Sequence, residues 1–179
     1  MANDVLPNQI ANGQPHDAAK ILANENFLNN KFDDSSGHDH SGSGKGAPVT
    51  QKSRLLLTDA DFTIPSTIFA DVTSATITIV TKANPVLIIV AGWWDNNTAG
   101  QTNSIDIDID GVRQGGNFGL VSYTANAGYA SNLSFNYLSA VLTAASHTFK
   151  LQAKRDAGIG TIKKSATAPL HFAVIEFKG

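Results

Sequence analysis

Two histidines near residue 40 are spaced for metal binding. His38 and His40 flank Asp39 in a Gly- and Ser-rich stretch. In an extended backbone, residues i and i+2 point to the same side, so the two imidazoles are presented together. Two imidazoles are too few for a tight site, but if three chains met around a threefold axis they would offer six, an octahedral set suited to Fe or a similar divalent transition metal. The alternative is a pair of solvated histidines in a loose linker.

Three aspartates alternate with isoleucine further along the chain. Asp106, Asp108 and Asp110 precede Gly111, which matches the start of an EF-hand calcium loop. The twelfth position of that loop is Asn117 here, where the calcium loop has glutamate. The alternation instead predicts a strand whose isoleucines face the core and whose aspartates face water. We therefore expect a solvated outer face, with weak cation binding as the alternative.

Aromatic and amide side chains are candidates for contact with a partner. Trp93 and Trp94 are adjacent in a predicted strand, so they face opposite sides, and one of them must find an interface, a ligand or the other sheet. Exposed tryptophan often marks recognition. The glycine-rich region that begins at Gln114 adds polar and aromatic side chains suited to a glycan or a protein; alternatively, its tyrosines pack on their own sheet. The predicted receptor-binding residues are Trp94, Asn117, Tyr123, Asn126 and Tyr129.

Composition and motifs argue against several classes of function. The chain has no cysteine, which removes disulfides, a thiolate nucleophile and cysteine metal sites. A net charge of -2 and a pI near 6.2 leave no basic surplus for nucleic acid. The sequence has no Ser-His-Asp order, nucleophile elbow, phosphate loop or dinucleotide fingerprint, and its only glutamates are Glu25 and Glu176. We predict that the chain is not an enzyme.

Membrane insertion and secretion are not expected from the sequence. No apolar run approaches the roughly 20 residues that span a bilayer. The first residues, Met-Ala-Asn-Asp, lack the charged and apolar regions of a secretory signal.

The chain divides into three zones of different composition. Residues 1–33 carry an apolar stripe at helical spacing between Ala18 and Phe32, which predicts a short helix that must dock to be stable. Residues 34–52 predict a flexible Gly- and Ser-rich linker. Residues 53–179 contain eight or nine short β-type runs separated by turn signals. They predict an antiparallel β-sandwich or jelly roll.

The order of these zones resembles that of bacteriophage tail-fibre and related virion proteins. The segment Ile10–Ala18, with its Asn-Gly-x-Pro turn, and the following Asn24–Phe27 are similar to the opening of such proteins. The stretch Gly37–Pro48 resembles their His-x-His and Gly-x-Gly-Ala-Pro linkers. The segments Ala145–Gln152 and Phe172–Phe177 are similar to parts of the C1q- and tumour-necrosis-factor-like jelly rolls that cap trimeric fibres.

The resemblance implies a role in the virion. It implies a homotrimer that joins another virion protein through residues 1–33 and holds a metal ion at His38 and His40. The distal jelly roll would then contact a glycan or a protein on the host surface. Two alternatives use the same fold: a capsid head fibre or decoration protein that cements the shell, and a bacterial surface lectin-like module.

Overall fold

A computed structural model describes residues 49–126 and 128–177 of the chain. The predicted helix, His38 and His40 lie outside these residues, as does most of the predicted linker. The described residues form eleven strands and no helix. The strands are β1 (Val49–Leu57), β2 (Phe62–Thr63), β3 (Ala70–Val80), β4 (Val86–Asn96), β5 (Thr102–Ile109), β6 (Val112–Arg113), β7 (Val121–Thr124), β8 (Ser131–Leu138), β9 (Ser146–Arg155), β10 (Gly160–Lys163) and β11 (Leu170–Phe177). β1 begins at Val49, ahead of the predicted domain start at residue 53.

The strands pair into two antiparallel sheets. Sheet 1 has the order β1, β11, β4, β8, and the short β10 and β2 continue the lines of β11 and β1. Sheet 2 has the order β3, β9, β5, β7, and β6 pairs with the other end of β5, next to β7. These two four-stranded orders, with β1, β11, β4 and β8 in one sheet and β3, β9, β5 and β7 in the other, are those of a jelly roll built from two Greek keys. The prediction of an antiparallel β-sandwich is therefore confirmed.

The core lies between the two sheets, because each long strand points every second side chain inward. In β4 the inward side chains are Val86, Ile88, Val90 and Trp94, and all four are buried. The outward side chains of the same strand are half-buried or exposed. Burial of apolar area in this layer is the main stabilising contribution to the fold.

The register gives the sandwich two distinct ends. Val49, the first described residue, pairs with Phe177 at one end of the sandwich, which we call the entry end. The β3–β4, β5–β6 and β8–β9 connections lie at this end. The β4–β5, β7–β8 and β9–β10 connections lie at the opposite end, which we call the far end, where Asn96 pairs with Gly160.

The structure also joins two runs that the sequence pattern separates. The pattern predicts separate runs over 67–73 and 74–81, and β3 (Ala70–Val80) covers most of both as one strand with an irregular register between Asp71 and Thr76. Ser74 lies in this irregularity with a φ of 66°, a left-handed conformation. A β-bulge of this kind turns the strand without ending it.

Candidate functional site

The structure separates the two tryptophans in the opposite sense to the predicted assignment. Trp94 is 2% exposed and belongs to the core, where its ring centroid lies 5.4 Å from that of Tyr123. Trp93 is 46% exposed and points away from the core. The reason is the phase of β4: its even-numbered residues face the other sheet. Trp94 therefore does not face a partner, and Tyr123 packs on its own sandwich.

The other predicted receptor contacts lie in two separate loops. Asn126 and Tyr129 lie in the β7–β8 connection at the far end, where the Tyr129 N–H donates to the Asn126 carbonyl oxygen. Tyr129 is 73% exposed. Asn117 is exposed in the 114–120 connection between β6 and β7, which both pair with the same edge of β5. The structure therefore brings Asn126 and Tyr129 together at the far end, packs Trp94 against Tyr123, and leaves Asn117 apart from both pairs.

Two interrupted strands create a cleft beside Trp93. The chain leaves sheet 1 at residues 58–61, between β1 and β2, and again at residues 164–169, between β10 and β11. Because β1 pairs with β11 and β2 with β10, the two interruptions lie at the same level of the sheet. Lys164 links the two interruptions. Its buried side-chain Nζ lies 2.5 Å from Asp59 Oδ2, and its backbone N–H donates to Asp61 Oδ1 at 3.0 Å.

The cleft has a volume of about 530 Å³ and is open to solvent. Its lining combines the exposed indole of Trp93 with the charged side chains of Asp61 and Lys163 and the hydroxyls of Ser165 and Thr167. Trp93 and Lys163 are register partners on adjacent strands, so they lie side by side on the outer face of sheet 1. We call this feature the Trp93 cleft.

Two carboxylates fix the position of the Lys163 ammonium group. Its Nζ lies 3.0 Å from Asp95 Oδ2 and 3.3 Å from Asp61 Oδ2. The hydrogen bond to Asp95, with a smaller contribution from Asp61, raises the pKa of Lys163, so the amine is charged at neutral pH. The cleft therefore presents a positioned donor next to carboxylate acceptors.

The prediction that the β5 aspartates face water is wrong for two of the three. Asp106 is 0% exposed and Asp108 is 5% exposed, while Asp110 is exposed at the turn. The isoleucines do face the core, as the alternation predicts. The outer face of β5 is covered because the connection after β6 folds back over it: the Gly115 N–H donates to Asp106 Oδ1 at 2.8 Å.

Cationic and aromatic side chains complete this cover. The Arg113 guanidinium lies 4.1 Å from the centroid of the Phe69 ring, and its Nε lies 3.4 Å from Asp106 Oδ2. Burial raises the pKa of Asp106, although the N–H groups of Gly115 and Ile107 and the charge of Arg113 oppose this shift. The arrangement holds a loop in place around a buried carboxyl group.

Sequence reasoning missed the cleft residues Asp61, Lys163, Ser165 and Thr167, and it assigned receptor contact to Trp94 in place of Trp93. The run Gly160–Lys163 is predicted as a strand, and it is one. The small polar residues that follow it indicate in the sequence that the strand is interrupted there. That this interruption lies opposite a second one is visible only in the paired sheet.

The described residues bear on only part of the predictions about metal binding and membrane insertion. In the described residues, no group of three or more His, Asp or Glu side chains is placed to hold a metal ion. The predicted ligands His38 and His40 lie outside this part of the chain. Within the same residues there is no helix long and apolar enough to cross a membrane.

No family model matches the chain, and no curated protein matches it. Among solved structures, the chain is similar to the VP2 subviral particle of infectious bursal disease virus, with 13% identity and a TM-score of 0.45 over 71% of this chain and 32% of that chain. It is also similar to T=1 particles derived from that virus (12% identity, TM-score 0.42, 80% and 40% covered). A third similar structure is dimeric latent PorU from Porphyromonas gingivalis (11% identity, TM-score 0.36, 74% and 14% covered). The chain spans about a third of the length of the VP2 chain. Similarity at this level assigns neither a family nor an activity.

Proposed function

We propose that the chain is a structural protein of a bacteriophage virion: a homotrimeric fibre tip that attaches to the host surface and binds without turnover. The observation that carries the proposal is the two-ended domain. The first described residue, Val49, lies next to Phe177 at the entry end, and the β4–β5, β7–β8 and β9–β10 connections lie at the opposite, far end. A rigid sandwich that is held at one end and presents loops at the other is suited to attachment.

Exposed apolar and aromatic side chains support recognition by the far end. Tyr129 in the β7–β8 connection is 73% exposed, and Ile159 in the β9–β10 connection is 52% exposed. The Trp93 cleft opens on the far half of sheet 1. Side chains of this kind are enriched where proteins contact a partner.

The outer face of sheet 1 supports self-association nearer the entry end. Leu87 of β4 pairs with Leu138 of β8 on one side and with Ile175 of β11 on the other, and all three side chains face outward together with Ile89. Leu138 is 60% exposed. We propose that copies of the chain pack against one another through this patch, because a second copy would cover apolar area that water now contacts.

The remaining parts of the proposal rest on the sequence resemblance. Residues 1–33 join another virion protein, and His38 and His40 hold a divalent transition metal such as Fe on the threefold axis. Trimeric presentation would raise weak single contacts into useful avidity. The location is the virion, and the receptor is a glycan or a protein on the host surface.

The test is binding of the fluorescently labelled full chain to intact cells of a panel of bacterial strains. We expect the chain to label a subset of strains. We expect the label to be lost when extracted surface polysaccharide is added as a competitor or when the cells are treated with protease. We expect the polysaccharide to keep its length. If no strain is labelled and the chain instead binds purified phage capsids, attachment is wrong and the decoration protein is favoured. Shortening of the polysaccharide would contradict binding without turnover.

A further inference from the structure

We infer that the Trp93 cleft binds a saccharide with a neutral ring. This inference deepens the proposed function and rests on it, because it names the class of receptor and the surface that holds it. It depends on three features of the cleft: an exposed aromatic face, a positioned donor next to acceptors, and a shape open to solvent.

The indole of Trp93 supplies the stacking surface. Strand alternation directs it outward, and its neighbours across the sheet, Lys163 of β10 and Asn132 of β8, are polar. The face of an aromatic ring carries negative partial charge, so it attracts the weakly positive C–H groups on the apolar face of a sugar ring. An indole that is 46% exposed between polar neighbours contributes little to the core and is available for such a contact.

The charged side chains match the hydroxyl groups of a sugar. Each sugar hydroxyl both donates and accepts, so two neighbouring hydroxyls can accept from the Lys163 ammonium group and donate to the Asp61 carboxylate. The ammonium group has three N–H donors, and Asp61 and Asp95 engage two of them. Because those carboxylates hold the lysine in place, less side-chain entropy is lost on binding.

The hydroxyl groups of Ser165 and Thr167 in the cleft extend the same chemistry. Ser165 Oγ and Thr167 Oγ1 are 3.3 Å apart in the interruption between β10 and β11. Hydroxyl groups in this position donate to or accept from a ligand as required. They lie on an exposed segment whose Ser165–Ala168 bridge closes a small turn.

Charge and size favour a neutral saccharide over an anion. One lysine faces two aspartates, so a phosphate or a nucleic acid would meet net negative charge. The volume of about 530 Å³ is within the range of small-molecule sites, roughly 300–1,000 Å³, and the open shape admits part of a longer chain. A polysaccharide segment meets both conditions.

The test compares full-length variants on an array of bacterial surface polysaccharides, with the mass of each variant measured by light scattering. Trp93→Ala removes the stacking surface, and Lys163→Met removes the donor. Phe118→Ala is the matched control, because Phe118 is 68% exposed in a loop on sheet 2. We expect each cleft variant to lose about tenfold or more in apparent affinity, as for central contact residues. We expect the control to bind like the unaltered chain and all masses to agree.

Each other outcome overturns a definite part of the inference. If the unaltered chain binds polysaccharide and Trp93→Ala binds it equally well, the cleft is not the site, although attachment stands. If the chain labels cells but binds no polysaccharide, the receptor is not a saccharide. If Trp93→Ala loses both the oligomer mass and binding, Trp93 is a subunit contact and the inference is wrong. If the chain labels no cells, the proposed function fails as well.

Discussion

His147 Nδ1 lies 2.6 Å from Asp110 Oδ2, and this contact ties the β5–β6 turn to the start of β9. Asp110 has a left-handed φ of 53°, and its Oδ1 also accepts the Thr148 N–H at 2.8 Å. His147 Nε2 lies 3.0 Å from the Thr143 carbonyl oxygen. Both ring nitrogens therefore face acceptors, an arrangement that suits the protonated imidazolium.

We expect the contact between His147 and Asp110 to stabilise the fold most at mildly acidic pH. The hydrogen bond to Asp110 raises the pKa of His147, so the histidine contribution is fully present below about 6.5 and is lost as the pH rises through the folded-state pKa. The hydrogen bond from the Thr148 N–H lowers the pKa of Asp110, and the contact with His147 lowers it further. The Asp110 contribution to stability is therefore present above about pH 3.9 and is lost as the pH falls through the folded-state pKa.

The measurement is the thermal unfolding midpoint of the unaltered chain and of His147→Gln between pH 4 and pH 9. We expect the largest difference near pH 5 to 6 and a shrinking difference above that. His171→Gln in β11 is the control. A difference between the unaltered chain and His147→Gln that stays constant across the range would contradict the ion pair.

Substitution of Asp106 tests whether its buried charge is unfavourable. Burial raises the pKa of Asp106, so its ionisation costs the folded state increasing free energy as the pH rises from about 3.9 through the raised value. Asp106→Asn keeps an oxygen for the Ile107 and Gly115 N–H groups, whereas Asp106→Ala does not. At pH 7 we expect the Asn variant to unfold at or above the unaltered midpoint and the Ala variant to lose about 1–3 kcal/mol. Equal losses in the two variants would show that the charge itself stabilises the loop.

We expect substitution of the two tryptophans to lower stability to very different extents. Trp94→Ala empties a core position that is 2% exposed, and we expect a loss of about 3–5 kcal/mol in the free energy of unfolding. Trp93→Ala removes an outward side chain, and we expect a loss of about 1 kcal/mol or less. Urea unfolding of both variants measures the difference. Similar losses would place Trp93 in a packed environment as well.

Substitution of Gly119 tests how tightly the connection after β6 packs over β5. Gly119 has a φ of 69°, and a Cβ added there would overlap the Ile105 carbonyl oxygen. Gly111 has a φ of 86° but open space around it. Gly111→Ala therefore pays only the left-handed conformation, about 1–2 kcal/mol, and we expect Gly119→Ala to lose clearly more in denaturant unfolding. The reverse order would contradict the close approach.

Self-association and the proposed metal are tested by the solution mass of the full chain. Three chains of 18.9 kDa give a trimer of about 57 kDa. We expect this mass in light scattering, and we expect a strong chelator or the double variant His38→Ala, His40→Ala to lower the thermal stability of the trimer. A trimer that is unchanged by both treatments would contradict the metal site, and a monomer under all conditions would contradict the threefold arrangement.

Local pattern predicted much of the sandwich but little of the cleft. The runs of β4, β5, β8, β9 and β11 are visible in the sequence because alternation reports which side chains face the core. The pattern could not choose between Trp93 and Trp94, because an almost wholly apolar run carries no phase. Nor could it place Asp61 next to Lys163, because that contact depends on the pairing of β2 with β10.

The fold class follows from local pattern, because period-two alternation and turn residues specify strands and the inward side of most of them. What covers the outward side depends on long-range contacts. Asp106 is buried because the loop containing Gly115 folds back over β5 and Arg113 stacks on Phe69. Trp93 remains open because two strand interruptions meet beside it. The physical reason is that burial depends on which distant segments meet across the sheet, and alternation along one strand carries no information about those segments.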